Sequence, residues 1–195
     1  MPLTRENSQL YEVIKVGTIS GQPLEIGDSN RSLTVDGKAY RSMVQFVRPN
    51  DATAYTAGDV IGTSGTAIQT LSGIGPSGGY ILVQSIELFS NRSTVPSGMG
   101  GLRAHFYTSS PAAIVDNAPF DLVSGDISGY VGYVDMPAPQ DLGSVIFTQT
   151  DYPGRLIQLA SGQTSLFCEI QTINAFTPAS GTAYTFRVKT LEAGL

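Results

Sequence analysis

The sequence predicts an all-β protein, a jelly-roll-like β-sandwich of about eight strands with an extended N-terminal arm or hairpin. Three observations indicate this class. Ser, Thr, Gly and Pro make up about a third of the 195 residues. Short apolar runs alternate with Gly, Ser, Asn, Asp and Pro clusters at the spacing typical of a sandwich or barrel. No segment of convincing length has the period of an amphipathic helix.

Residues 1–40 differ from the rest of the chain and are predicted to form the arm. Leu10–Val16 is a candidate strand, after which Gly, Pro, Asp and Asn repeatedly interrupt the pattern. Asp36-Gly37 lies between the β-prone runs SLTV and KAYRS, which is a strong hairpin signal. Two interpretations stay open, an arm packed on the domain or on a neighbour, and ordinary extra strands of the same sheet.

Residues 41–195 are predicted to form the sandwich domain. Its last strand alternates clearly, with Tyr184, Phe186 and Val188 on one face. Long connections instead of tight two-residue hairpins favour a jelly roll over an up-and-down barrel. Gly73–Gly79 is predicted to be a turn, and Pro111–Val115 is the best candidate for a single helical turn. The predicted strands are 42–47, 80–89, 102–108, 130–135, 145–149, 155–159, 166–171 and 184–190, with a weak one near 60–61.

Composition argues against several functional classes. The net charge is −5 and the pI is near 4.7, and the 11 Lys and Arg residues are scattered, so no basic stripe for nucleic acid is expected. No apolar run is long enough to predict a membrane span, and the polar N-terminus predicts no secretion signal. A single cysteine excludes an internal disulfide framework and suits a reducing cytosol.

Two residues, His105 and Cys168, are candidates for chemistry. His105 shares a predicted strand face with Arg103 and Tyr107, which indicates a surface or loop-covered residue and not a triad base. Cys168 shares a face with Leu166 and Ile170 and is predicted to be a buried, unreactive thiol. We predict no catalytic residue, no metal site and no cofactor, because one Cys and one His cannot supply a zinc site and no calcium loop is present.

Carboxylates and tyrosines leave two minor alternatives open. An aspartate pair that meets across a cleft would suit a hydrolase, although most such residues cap turns. Tyr130 and Tyr133 flank a Gly-rich strand and could stack on a sugar, but a core position is the favoured interpretation. The aspartates concerned are Asp116, Asp121, Asp126, Asp135, Asp141 and Asp151.

Three segments carry a family resemblance. Arg48–Thr63, Val95–Pro111 and Ile127–Asp135 resemble structural proteins of tailed-bacteriophage virions, in particular capsid decoration (cement) proteins of jelly-roll type. The resemblance covers roughly residues 45–190 and lies in turn phrases and strand order, with no site motif. It therefore transfers no functional residue.

The resemblance implies a non-enzymatic role on the outside of a capsid. Such a protein is made in the host cytoplasm, binds the major capsid protein and cements neighbouring capsid subunits as a homo-oligomer, with a trimer favoured. It has no direct contact with nucleic acid or membrane. The alternatives are a minor capsid or tail-associated virion protein and a carbohydrate-binding β-sandwich module.

Overall fold

The computed structural model describes residues 37–193 of the chain. That range contains eleven strands, which form two antiparallel sheets. It also contains one three-residue 3-10 helix, Ser124–Asp126. In chain order the strands are β1 (Ala39–Val47), β2 (Val60–Ile61), β3 (Gln69–Leu71), β4 (Tyr80–Ser90), β5 (Leu102–Tyr107), β6 (Tyr130–Met136), β7 (Gln140–Asp141), β8 (Ile146–Asp151), β9 (Leu156–Gln158), β10 (Leu166–Thr172) and β11 (Ala183–Ala193).

The two sheets have the strand order of a jelly roll. The first runs β1-β11-β4-β8-β7, and β9 pairs with the first three residues of β4. The second runs β2-β10-β5-β6, and β3 also pairs with β10. If β2 and β3 count as one interrupted strand, and the short β7 and β9 are set aside, eight strands remain. Their order is 1-8-3-6 in one sheet and 2-7-4-5 in the other, which confirms the predicted double-sheet jelly roll.

Alternating side chains from both sheets form the core, as expected for strands with one buried face. In β11, Tyr184, Phe186 and Val188 are buried, as predicted. The same alternation in β5 and β10 buries Leu102, Ala104, Phe106, Leu166, Cys168 and Ile170. The apolar periodicity therefore identifies the core face of each long strand correctly.

Several short elements differ from the prediction. The strands β3 and β7 were not predicted, because two or three residues with mixed polarity carry no readable period. Pro111–Val115 is not helical. It is part of a loop, in which the carbonyl of Ile114 accepts a hydrogen bond from the backbone N–H of Ala67. The predicted strand at 155–159 is the three-residue β9, and the weak strand at 60–61 is confirmed as β2.

The N-terminal predictions lie almost entirely outside the described residues. They are the strand at Leu10–Val16, the run SLTV and most of the 1–40 arm. The part that is described begins at Gly37, and β1 starts at Ala39.

Candidate interaction surfaces

The single histidine lies on the outer face of the second sheet, beneath the β5–β6 connection at residues 108–129. The His105 ring stacks on Phe120 with 3.8 Å between ring centroids. Its Nδ1 lies 2.9 Å from the Tyr130 hydroxyl, and its Nε2 lies 3.1 Å from the Gln171 side-chain oxygen. Burial lowers the pKa of His105 to about 4. Of the two predicted positions, surface or loop-covered, the structure shows the second, and the ring is neutral near pH 7.

Glu169 is the register partner of His105 on β10 and is fully buried. One carboxylate oxygen accepts a hydrogen bond of 3.1 Å from the Tyr107 hydroxyl. The other oxygen, Oε1, has no hydrogen-bond partner within residues 37–193. Burial raises the pKa of Glu169 to about 7. The sequence pattern does not identify Glu169 as buried, since alternation places it outward and cannot show that a loop covers it.

Cys168 lies in the core as predicted. Its side chain is fully buried between the two sheets, beside Leu166 and Ile170 on the same strand. Burial raises the pKa of the Cys168 thiol well above its ordinary value. The thiol stays protonated, which makes it a poor nucleophile.

Arg48, Tyr55 and Asp116 form a buried polar cluster that connects three loops. The Tyr55 hydroxyl donates to Asp116 at 2.6 Å, and the backbone N–H of Gly62 donates to the same oxygen at 2.8 Å. The Arg48 guanidinium lies 3.2 Å from the other Asp116 oxygen and also donates to Asp51. The arginine side chain is fully buried and that of Asp116 is nearly so. This arrangement fixes the end of β1 against the loop that precedes β6.

The other five aspartates have separate structural or surface positions. Asp141 accepts a hydrogen bond from the backbone of Gly143 two residues later, as turn-capping residues do. Asp126 accepts one from the backbone of Ala112, which lies 14 residues earlier in the same connection. Asp135 pairs with Arg103, whereas Asp121 and Asp151 are exposed. Across residues 37–193, no three His, Cys, Asp or Glu side chains are grouped so that they could hold a metal ion.

Tyr130 and Tyr133 occupy different environments. Tyr130 is half-buried and its hydroxyl contacts His105, whereas Tyr133 is 43% exposed, so a core position is wrong for the second residue. The Arg103 guanidinium lies 3.8 Å from the centroid of the Tyr133 ring. Asp135 holds that guanidinium by two hydrogen bonds of 2.6 and 3.0 Å. One face of the exposed ring is therefore covered and does not offer a flat sugar platform.

The β6 edge of the second sheet is closed by side chains from β8 and from the loop between β8 and β9. The backbone carbonyls of four alternate residues each accept a hydrogen bond from a side chain. These carbonyls are therefore not free to pair with an added strand. Arg155 donates to Val131 at 3.1 Å and to Tyr133 at 2.8 Å, Thr150 donates to Asp135 at 2.8 Å, and Thr148 donates to Pro137 at 2.6 Å.

The opposite edge of the second sheet is covered by residues 114–120. Val60 on β2 donates to the carbonyl of Ala118 and accepts from Asn117, both at 2.9 Å. Phe120 donates in turn to the carbonyl of Gly58 at 2.9 Å. Both long edges of this sheet are thus protected from the addition of another strand. No helix within residues 37–193 is long and apolar enough to cross a membrane.

The strand order defines the class of protein, a double-sheet jelly roll, which viral capsid domains share with lectin domains and cupins. No protein-family model matches the sequence, and the search of curated proteins finds no match.

The chain is similar to chains of several solved viral structures. A chain of the "Cyanophage Pam1 capsid asymmetric unit" is 16% identical, with 91% of this chain and 99% of that chain covered and a TM-score of 0.37. A chain of Cocksfoot mottle virus is 10% identical, with 81% and 97% covered and a TM-score of 0.27. A chain of the Israeli acute paralysis virus particle is 10% identical, with 80% and 71% covered and a TM-score of 0.28.

Proposed function

We propose that the chain is a structural protein of a virion. More narrowly, it binds the outer surface of a phage capsid and cements neighbouring major capsid subunits. The observation that carries the proposal is the complete jelly-roll strand order, an architecture that capsid domains use. It is joined by the sequence resemblance to phage virion proteins.

The resembling segments contain residues that hold the fold together. Arg48 and Tyr55, in the first segment, belong to the buried cluster around Asp116. His105 in the second segment contacts Tyr130 in the third across the second sheet. These residues position strands and loops. Their role in stabilising the fold supports a structural function for the protein.

The closed edges of the second sheet also support the proposal. A cement protein is present at high local concentration on a shell, where exposed strand edges would promote uncontrolled pairing between copies. Side chains and the 114–120 segment occupy these edges, so binding would use faces and loops instead. Many modest contacts of that kind hold a lattice component tightly when they act together.

Binding to capsid shells that lack the protein tests the proposal. Purified protein is expected to sediment with such shells and to saturate at a fixed simple ratio to the major capsid protein. Shells of an unrelated virus serve as the control for non-specific pelleting. Failure to bind the cognate shells would contradict the cement role, and a strong glycan-array signal would favour the carbohydrate-binding alternative.

A further inference from the structure

The outer face of the first sheet carries an ordered pattern of residues. Outward positions on β1 alternate from Ala39 to Val47, and each has a register partner on β11. The rows of Arg41, Met43 and Gln45 continue across β4 and β8, and the row of Ala39 continues across β4 and β9. Because four strands are aligned in this way, the face consists of rows that run perpendicular to the strands.

Apolar side chains occupy both ends of this face. At one end, Leu191 pairs with Leu82, and Leu82 pairs with Leu156, which is 47% exposed. At the other end, Val47 is 54% exposed, and Phe89 stacks near Phe147 at a centroid distance of 4.6 Å. An open groove of about 310 Å³ lies beside Val47 and Phe89. Such half-exposed apolar rows at the ends of one face are characteristic of an interaction surface.

Charged residues occupy the middle of the face with a fixed order of sign. One row begins with the exposed Arg41, continues through Lys189 and ends at the exposed Asp151. In the next row, Arg187 on β11 lies opposite Glu87 on β4, with 2.7 Å between their charged atoms. Cations therefore lie toward β1 and β11, and carboxylates lie toward β4 and β8.

We propose that this face binds a second copy of the chain through a two-fold axis that runs parallel to the strands. Such an axis places β1 over β8 of the second copy and β11 over its β4. Arg41 then faces Asp151 of the second copy. Leu191 faces its Leu82, so that the apolar row at this end of the face and the charged row that begins with Arg41 are matched at the same time. Each contact occurs twice, as an isologous interface requires.

The other two-fold axis that could relate two such faces, perpendicular to the strands, is disfavoured by charge. A two-fold axis perpendicular to the strands would place β11 over β11 and bring Lys189 toward Arg187 of the second copy. Like charges at that distance oppose association. Sheets that stack face to face lie about 10 Å apart with a modest twist, which permits the row matching of the parallel axis. The inference goes beyond capsid binding and does not depend on it.

Charge-swap variants measured by sedimentation velocity test this dimer. The wild-type chain is expected to form a concentration-dependent dimer. Arg41→Glu and Asp151→Arg are each expected to raise the dissociation constant at least about fivefold, since two symmetric contacts become repulsive. The double variant, Arg41→Glu with Asp151→Arg, is expected to return the constant toward the wild-type value. Both residues are exposed, so folding is expected to be retained.

Asp121→Arg is the matched control, because it makes the same charge change at an exposed position in the β5–β6 connection. It is expected to leave the dimer intact. A wild-type monomer, or the trimer that the family resemblance implies, would overturn the proposal. Single variants that still dimerise as tightly as the wild type, or a double variant that does not recover, would overturn it as well.

Discussion

Asp116→Ala is expected to lower the free energy of unfolding by about 3–5 kcal/mol, the usual cost of removing one partner from a buried ion pair. The substitution leaves the Arg48 guanidinium buried beside Tyr55 without its main carboxylate. It also removes the acceptor of the Tyr55 hydroxyl and of the Gly62 N–H. Chemical denaturation monitored by tyrosine fluorescence measures the loss.

Asp121→Ala provides the control, because Asp121 is exposed on the same β5–β6 connection and its removal is expected to change stability by less than about 0.5 kcal/mol. Asp116→Asn is the milder variant if Asp116→Ala fails to fold, since it keeps an oxygen acceptor. A double variant, Arg48→Met with Asp116→Leu, is expected to recover much of the loss, because it removes both charges. A loss from Asp116→Ala no larger than that of the control would contradict the structural role of the cluster.

Glu169→Gln and His105→Asn are expected to give opposite pH dependences of stability between about pH 4 and 7. The pKa of Glu169 is about 7 in the folded chain, against an ordinary value of 4.5. Between those values the folded chain retains a proton that the unfolded chain has released, so stability falls as pH rises. The pKa of His105 is about 4, against an ordinary 6.5. In that window the unfolded chain binds the extra proton, so stability rises with pH.

In the wild-type chain these two slopes largely cancel and give a flat profile. Each corresponds to at most about 3 to 4 kcal/mol, at about 1.4 kcal/mol per pH unit. Glu169→Gln leaves only the His105 contribution, so its stability is expected to increase from pH 4 to 6.5. His105→Asn leaves only the Glu169 contribution, so its stability is expected to decrease from pH 4.5 to 7. Thermal unfolding across this range measures both slopes, and two variants with the same profile would contradict the burial of this pair.

The long strands could be predicted from sequence because their apolar residues alternate with period two. Leu102, Ala104 and Phe106 show this pattern, and all three are buried. The same pattern could not predict the environment of the outward residues between them. His105 and Glu169 are buried by the β5–β6 connection, whose path over the sheet depends on hydrogen bonds between residues distant in sequence.

The polar clusters were missed for a related reason. Arg48 and Asp116 are separated by 68 positions, and each belongs to a loop with no readable period. Tyr133 shows the opposite error, because its aromatic character favours the core, whereas the structure places it at the surface under Arg103. Alternation along single strands therefore predicts the sandwich, whereas the surfaces depend on how the loops return to it.

The copy number of this chain in purified particles distinguishes a cement protein from other virion components. Quantitative mass spectrometry would compare this chain with the major capsid protein in the same sample. We expect one copy per capsid subunit or a fixed simple fraction of it. A few copies per particle would contradict the cement role and indicate a tail or minor capsid component. Absence from particles would contradict the virion assignment altogether.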